Sequence, residues 1–246
     1  MAENRREAGI MVSEIVFSNF PLLFRAAGLS FFILDCEHGG FDYKDAAAML
    51  TVAKLCGVRS IVRLPGNQRK DIVKLMDMGA DGLLLPMTNT AEDIGLVVRY
   101  AKYRPLGERG ISTMRAHTMY APPPIREYTA QANAHTRIYA QIETRAGVQN
   151  AEAILSVPGV AGCFIGPNDL SDDFGCLGQK NAVPVLGAIA RVCSAVEKCG
   201  KECGIITADA GYLSAAKGQG CTLFCCGSEL NAVKEYAANV AANISQ

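Results

Sequence analysis

The chain has 246 residues, half of them hydrophobic by type, which is enough for one large core. A single α/β barrel takes about 250 residues, so one domain over residues 1–246 is sufficient. Lys plus Arg and Asp plus Glu balance at 24 each without a basic or acidic block, which argues against nucleic acid or an anionic membrane as a partner. The start MAENRREAG reads as short and charged, with no secretory signal, and no apolar run nears the ~18 residues of a membrane span. A cytoplasmic protein is therefore expected. Its 10 cysteines, which include no CxxC pair, are expected to be small buried apolar residues rather than a disulfide framework. Three histidines, His38, His117 and His135, leave little for a His/Cys zinc site.

Strands and helices alternate from the beginning. GIMVS, from Gly9, reads as a strand, and PLLFRAAG as a helix closed by Gly28. FFILD (residues 31–35) is the second strand, followed by the amphipathic DYKDAAAMLTVAKLCG, with Gly57 just past the helix end. RSIVRL and NQRKDIVKLMDMG form the third pair, and DGLLLP and TAEDIGLVVRYAKY the fourth. After a long connection, RIYAQIE is the fifth strand; one helix then leads to VAGCFIG, the sixth. VLGAIARVCSAVEKCG, CGIIT, a short helix ending in GQG, CTLFCC and a final helix from Glu229 complete the chain.

About eight short apolar strands, each followed by a helix, predict a (β/α)8 TIM barrel, with the active site at the strand C-terminal ends. A doubly wound open sheet is the alternative. It would usually carry a Gly-rich phosphate loop, and no GxGxxG or GxxxxGK[ST] occurs.

The predicted strand mouths collect reactive side chains. In RIYAQIE, Tyr139, Gln141 and Glu143 alternate with Ile138, Ala140 and Ile142, so Gln141 and Glu143 share a side, with Glu143 at the mouth. Asp169 lies just past the sixth strand, in a predicted loop PNDLS. The spacing 169 − 143 = 26 residues is about one α/β repeat, so the two acids come from adjacent parallel strands. The second strand ends with Asp35, Glu37 and His38, and the third with Arg63. Each of these has a structural reading as well: a helix-dipole acid, a capped loop histidine, a rim ion pair.

Two carboxylates completed by water and substrate oxygens suit Mg²⁺ or Mn²⁺, with Co²⁺ a further candidate, better than zinc. Such an ion can chelate a 2-oxo acid and stabilise the enolate formed when a bond to C3 breaks. Arg63 can add a charge-assisted hydrogen bond to the same oxygens. His38, its ring oriented by Asp35, is the natural general base. A Schiff-base route needs a lysine buried at a strand end. The lysines, among them Lys54, Lys102, Lys180 and Lys201, fall on predicted helices, turns or loops.

DCEHGG, VRLPGN, LLLPMTNTAED, RPLGERG, QIETRAGVQNAEAIL and GVAGCFIGPNDLS together resemble the metal-dependent pyruvate aldolases of the HpcH/HpaI family, over about residues 9–227. The resemblance implies that Glu143 and Asp169 bind the metal, that His38 is the base assisted by Asp35, and that Arg63 binds pyruvate. It also implies that Gln141 helps to hold the substrate and that the backbone of Gly166, Pro167 and Asn168 lines the pyruvate pocket. Members of this family cleave 4-hydroxy-2-oxo acids to pyruvate or a related 2-oxo acid plus an aldehyde. They are typically hexamers, or trimers of dimers, with the C-terminal helix often exchanged between neighbours.

Departures concern the substrate. The segment before the first strand is shorter than is usual in the family, there is no Trp, and the connection GERGISTMRAHTMYAPPPIREY is shorter around Ser112–Arg115. Arg115, His117 and Tyr120 in it could meet a substrate's distal end or serve only as surface or subunit contacts, and the connection is expected at the mouth as a lid or an oligomer contact. Asp172 and Asp173 read as helix-start or surface acids. A CoA-ester lyase of the citrate-lyase β type and a noncatalytic 2-oxo acid binder are the rival functions.

Overall fold

A computed structural model describes residues 6–179 and 181–244, so residues 1–5, Lys180 and residues 245–246 lie outside it. In chain order the elements are β1 (Glu7–Val12), α1 (Phe20–Ala26), β2 (Phe31–Asp35), α2 (Tyr43–Cys56), β3 (Arg59–Arg63), α3 (Arg69–Asp77), β4 (Gly82–Leu85) and α4 (Ala91–Ala101). A 3₁₀ turn (Ala116–Thr118), α5 (Ile125–His135), β5 (Arg137–Ile142), α6 (Arg145–Gln149), α7 (Ala151–Leu155), β6 (Gly162–Ile165) and α8 (Pro167–Asp173) follow. The chain ends with α9 (Val183–Cys199), β7 (Glu202–Ile206), α10 (Ala210–Gly218), β8 (Leu223–Ser228) and α11 (Glu229–Ile244). The strands close in sequence order into one parallel barrel, β1 pairing with both β2 and β8. This is the (β/α)8 barrel that the alternation predicts.

Local sequence explains the element ends. α2 opens on a capping box, with Asp42 accepting the N–H of Asp45 and Asp45 accepting that of Asp42. It closes on Gly57 at φ 73°, a left-handed conformation that costs glycine little. Period-two alternation divides the core into two layers. Phe31, Ile33, Ile61, Leu84, Tyr139, Phe164, Leu223 and Cys225 fill the barrel interior. Their outward neighbours, such as Phe32, Leu34, Val62, Leu83, Cys163 and Ile205, pack under the helices.

Three expectations change. The single helix between the fifth and sixth strands is two short ones, α6 and α7, broken at Asn150 (φ −95°, ψ 7°). PNDLS is no loop: Pro167 occupies the first turn of α8, where its missing N–H costs nothing, so Asp169 sits on a helix. The long connection after α4 contains the 3₁₀ turn and α5, and it lies at the foot of the barrel, away from the mouth. It leads from the end of α4 into the start of β5, and His117 packs against Gly79, just after α3. There His117 Nε2 is 3.0 Å from the Ser112 carbonyl and its ring stacks on Tyr128, which makes it a structural residue of the foot. Arg115 and Tyr120 are exposed on the same connection, so they reach no substrate at their own chain's mouth. None of α5 is buried, which is why no apolar stripe announces it.

Candidate active site

Asp35 and Arg63 are register partners at the C-terminal ends of β2 and β3. The guanidinium grips the carboxylate with both arms, Nε to Oδ1 at 2.9 Å and Nη2 to Oδ2 at 2.6 Å. The same Oδ1 accepts the backbone N–H groups of Glu37 (3.1 Å) and His38 (3.3 Å), fixing the turn that leaves β2. Asp35 is 2% exposed. Burial works to raise its pKa, but the Arg63 hydrogen bond and charge, with the two backbone donors, outweigh it and hold the carboxyl below its usual range.

Glu37 sits on the other side of the guanidinium, its Oε2 3.2 Å from Arg63 Nη1 and 3.7 Å from His38 Nε2. The His38 ring is exposed at the rim. Its ring contact is therefore with Glu37, while Asp35 acts on the His38 backbone and not on the ring. The expected Asp35–imidazole pairing is corrected accordingly: Arg63, its side chain 11% exposed, takes up both carboxylate oxygens of Asp35.

On β5, Gln141 points inward and Glu143 follows the last strand residue; both are buried. Glu143 Oε1 accepts the Met87 N–H at 2.6 Å, and Oε2 accepts from Gln141 Nε2. Burial lifts the Glu143 pKa to about 7; these two hydrogen bonds oppose the rise, and the charges of Asp169 and Glu37 add to it. Gln141 Oε1 is buried without a hydrogen-bond partner.

β6 delivers the facing wall. The Gly166 N–H donates to the Ile142 carbonyl at 3.1 Å, carrying the β5–β6 ladder to the mouth. Pro167 is buried, Asn168 is exposed, and Asp169 is exposed with no hydrogen-bond or ion-pair partner among the described residues. Asp169 stands in the first turn of α8 and raises the pKa of both Glu37 and Glu143, so the three acids share one electrostatic field. At the far end of α8, Asp173 accepts the Arg145 N–H at 2.6 Å, tying that helix to the segment just after Glu143. It is a surface acid with a structural partner.

The strand-mouth candidates Asp35, Glu37, His38, Arg63, Gln141, Glu143 and Asp169 thus lie at the same end of the barrel, as do Gly166, Pro167 and Asn168, which the resemblance implies. Two contributors, Met87 and Glu229, escape sequence reading, and a third, Glu37, is placed at the mouth by sequence but without its partner. Glu37 is visible in DCEHGG, but its pairing with Arg63 is tertiary. Met87 enters through its backbone, at φ 49°, inside the LLLPMTNT block. Glu229, at the start of α11, accepts the N–H groups of Ser13, Glu14 and Ile15 at 2.9, 2.7 and 3.1 Å, and so anchors the turn after β1 from the other end of the chain.

Fold and mouth together define a (β/α)8 barrel protein whose strand ends carry four carboxylates and one guanidinium, the latter paired with Asp35 and Glu37. The profile of the HpcH/HpaI aldolase/citrate lyase family matches residues 24–233, and the chain belongs to this family. It is 35% identical over 180 residues to a 5-keto-4-deoxy-D-glucarate aldolase of Klebsiella pneumoniae subsp. pneumoniae, covering 73% of this chain and 70% of that one. It is 33% identical over 190 residues to a hydroxypyruvate/pyruvate aldolase of Roseobacter denitrificans, covering 77% and 74%. The crystal structure of an HpcH/HpaI aldolase from Desulfitobacterium hafniense DCB-2 superposes with a TM-score of 0.93 at 32% identity, over 99% of this chain and 94% of that one. The protein is a carbon–carbon lyase that works by aldol cleavage.

Proposed function

We propose that the protein cleaves 4-hydroxy-2-oxo acids to pyruvate or a related 2-oxo acid plus an aldehyde, with a divalent cation, Mg²⁺ or Mn²⁺, held by Glu143 and Asp169. The observation that carries this reading is the donor set. Asp35, Glu37, Glu143 and Asp169 outnumber their one cation, Arg63, while Asp169 has no partner among the described residues and Gln141 Oε1 is buried and unpaired. A hard cation fits such oxygens. A buried Glu143 with a pKa near 7 gains from one too, because positive charge favours its ionised form.

When bound, the ion supplies Lewis-acid polarisation of the substrate's keto and carboxylate oxygens. Arg63, already aimed by Asp35, stabilises the negative charge that develops on the keto oxygen as the C3–C4 bond breaks. His38 takes the proton from the C4 hydroxyl, and the bond electrons pass to C3 and the keto oxygen. Glu37 sits beside the imidazole and stabilises its protonated form. Gln141 offers its free Oε1 to a substrate hydroxyl or a water, and the backbone of Gly166, Pro167 and Asn168 forms the wall against which the 2-oxo acid packs. A relative named for pyruvate and hydroxypyruvate supports a short 2-oxo acid as the shared half of the reaction.

The proposed unit is a homo-oligomer. Leu230, Val233, Tyr236, Val240 and Ile244 make an exposed apolar stripe on α11, on which only Glu229 is buried. Exchange of this helix between neighbouring subunits would cover the stripe. The free cysteines suit a reducing compartment such as the cytoplasm, and among the described residues no helix is long and apolar enough to cross a membrane.

Pyruvate release from a panel of 4-hydroxy-2-oxo acids, with and without EDTA, tests the reaction. Metal-dependent exchange of the pyruvate methyl protons in D₂O tests the half-reaction alone. An Asp169→Ala enzyme that keeps full metal-dependent activity would remove that residue from the site, and no exchange with metal present would favour a noncatalytic binder.

A further inference from the structure

Three thiols converge outside the barrel interior, at the end opposite the mouth. Cys193 comes from α9, Cys203 is the second residue of β7, and Cys221 lies two residues before β8. Their sulfurs are mutually close: 3.7 Å for Cys193 to Cys203, 3.6 Å for Cys193 to Cys221 and 3.1 Å for Cys203 to Cys221. All three are buried, at 5%, 3% and 1% exposure, in the apolar layer between sheet and helices. Cys163 is the register partner of Cys203 across the β6–β7 ladder.

We propose that Cys193, Cys203 and Cys221 form a binding site for a thiophilic d¹⁰ cation of the Zn²⁺ class, distinct from the oxygen-lined mouth. A tetrahedral ion with metal–sulfur bonds of about 2.3 Å sets its sulfurs about 3.8 Å apart, so two of the three separations already match and the third needs under an ångström of opening. Sulfur ligands in a dry pocket select against Mg²⁺ and Mn²⁺, which prefer oxygen, so the two sites sort their metals by donor chemistry. Binding replaces three S–H protons, released to solvent, by three sulfur–metal bonds. The exposed end of α10 and the turn after it, residues 217–220, lead directly into Cys221. Once bound, the ion would staple α9 to β7 and to the entry of β8, where no hydrogen-bond ladder joins helix to sheet.

The test uses the full-length protein, purified under reducing conditions, with excess Mg²⁺ keeping the mouth filled. The expected result is retention of one Zn²⁺ per chain through desalting. Co²⁺ in its place should give a thiolate-to-metal charge-transfer band in the near ultraviolet, which oxygen ligands do not produce. Cys193→Ala and Cys221→Ala should each lose the band and the retained zinc while keeping Mg²⁺-supported aldol activity. A wild-type protein that retains no zinc, or whose cobalt form lacks the sulfur band, overturns the site, and that reading stands even if the variants misfold. Recovery of Cys203 and Cys221 as a disulfide from protein prepared without reductant, with no metal uptake after reduction, also overturns it. None of these outcomes touches the mouth, whose test is pyruvate release.

Discussion

Glu143 occupies the space that a side chain at residue 166 would need. A Cβ placed on Gly166 would lie 2.6 Å from Glu143 Oε2 and 2.9 Å from its Cβ, so the carboxylate is seated by the absence of a neighbour's methyl group. Gly166→Ala should therefore displace Glu143 from its hydrogen bonds to Met87 and Gln141. The expected loss is about 10- to 100-fold in metal affinity or activity, as for other changes that disturb a ligand's support, with about 1–3 kcal/mol of overpacking strain. Metal titration of kcat/KM alongside a thermal melt checks this; unchanged metal dependence would mean that Glu143 holds its place by other means.

Asp35 is bound to Arg63 by two charge-assisted hydrogen bonds and is almost completely buried. Asp35→Ala leaves the guanidinium uncompensated, and breaking a buried pair in this way costs about 3–5 kcal/mol. The pH dependence has a definite sign. The folded-state pKa lies below the ordinary 3.8, so the pair's contribution is present above 3.8 and is lost as pH falls through the lower folded value. Acid unfolding of the wild type should be steeper there than that of Asp35→Asn.

His38 projects into solvent at the rim, so its removal should cost little stability. If it moves the proton of the C4 hydroxyl, His38→Asn should lower kcat by about 10²- to 10⁴-fold while the affinity for the metal stays unchanged. Equal loss of metal affinity would instead place the imidazole among the ligands.

Lys102 is a buried lysine far from the mouth, donating to the carbonyls of Asn133 and Thr136 at 2.7 Å each. Burial, helped by the charge of Arg137, lowers its pKa from 10.5 to about 8. Between those values the unfolded chain binds more protons than the folded one, so this residue's contribution to stability rises with pH from about 8 to 10.5. Denaturant midpoints for wild type and Lys102→Met should converge or cross in the wild type's favour across that window. A flat difference would show that the two carbonyls hold the ammonium at its ordinary pKa.

Much of the site is written in local sequence. FFILD coincides with β2, and RIYAQIE puts Gln141 and Glu143 on one side because alternation is a property of any strand. Helix ends such as Asp42 and Gly57 are equally local. The connection after α4 was not legible in this way: α5 buries nothing, so its residues carry no periodic signal, and a long polar segment looks the same at the mouth as at the foot. PNDLS hid a helix because Pro167 suits both a turn and a first helical turn.

The sequence by itself determined the eight-fold alternation, the end of the barrel at which the reactive groups collect, and the residue types offered there, since all three follow from periodicity and chain order. Tertiary structure alone decided who touches whom. Asp35 spends its oxygens on Arg63 and the turn rather than on the imidazole, Glu37 takes up the place beside His38, and three cysteines spread over 28 residues meet in one sulfur cluster. The reason is that strand pattern fixes which face a side chain leaves from, whereas hydrogen-bond partners are chosen among groups distant in sequence that closure of the barrel brings within reach.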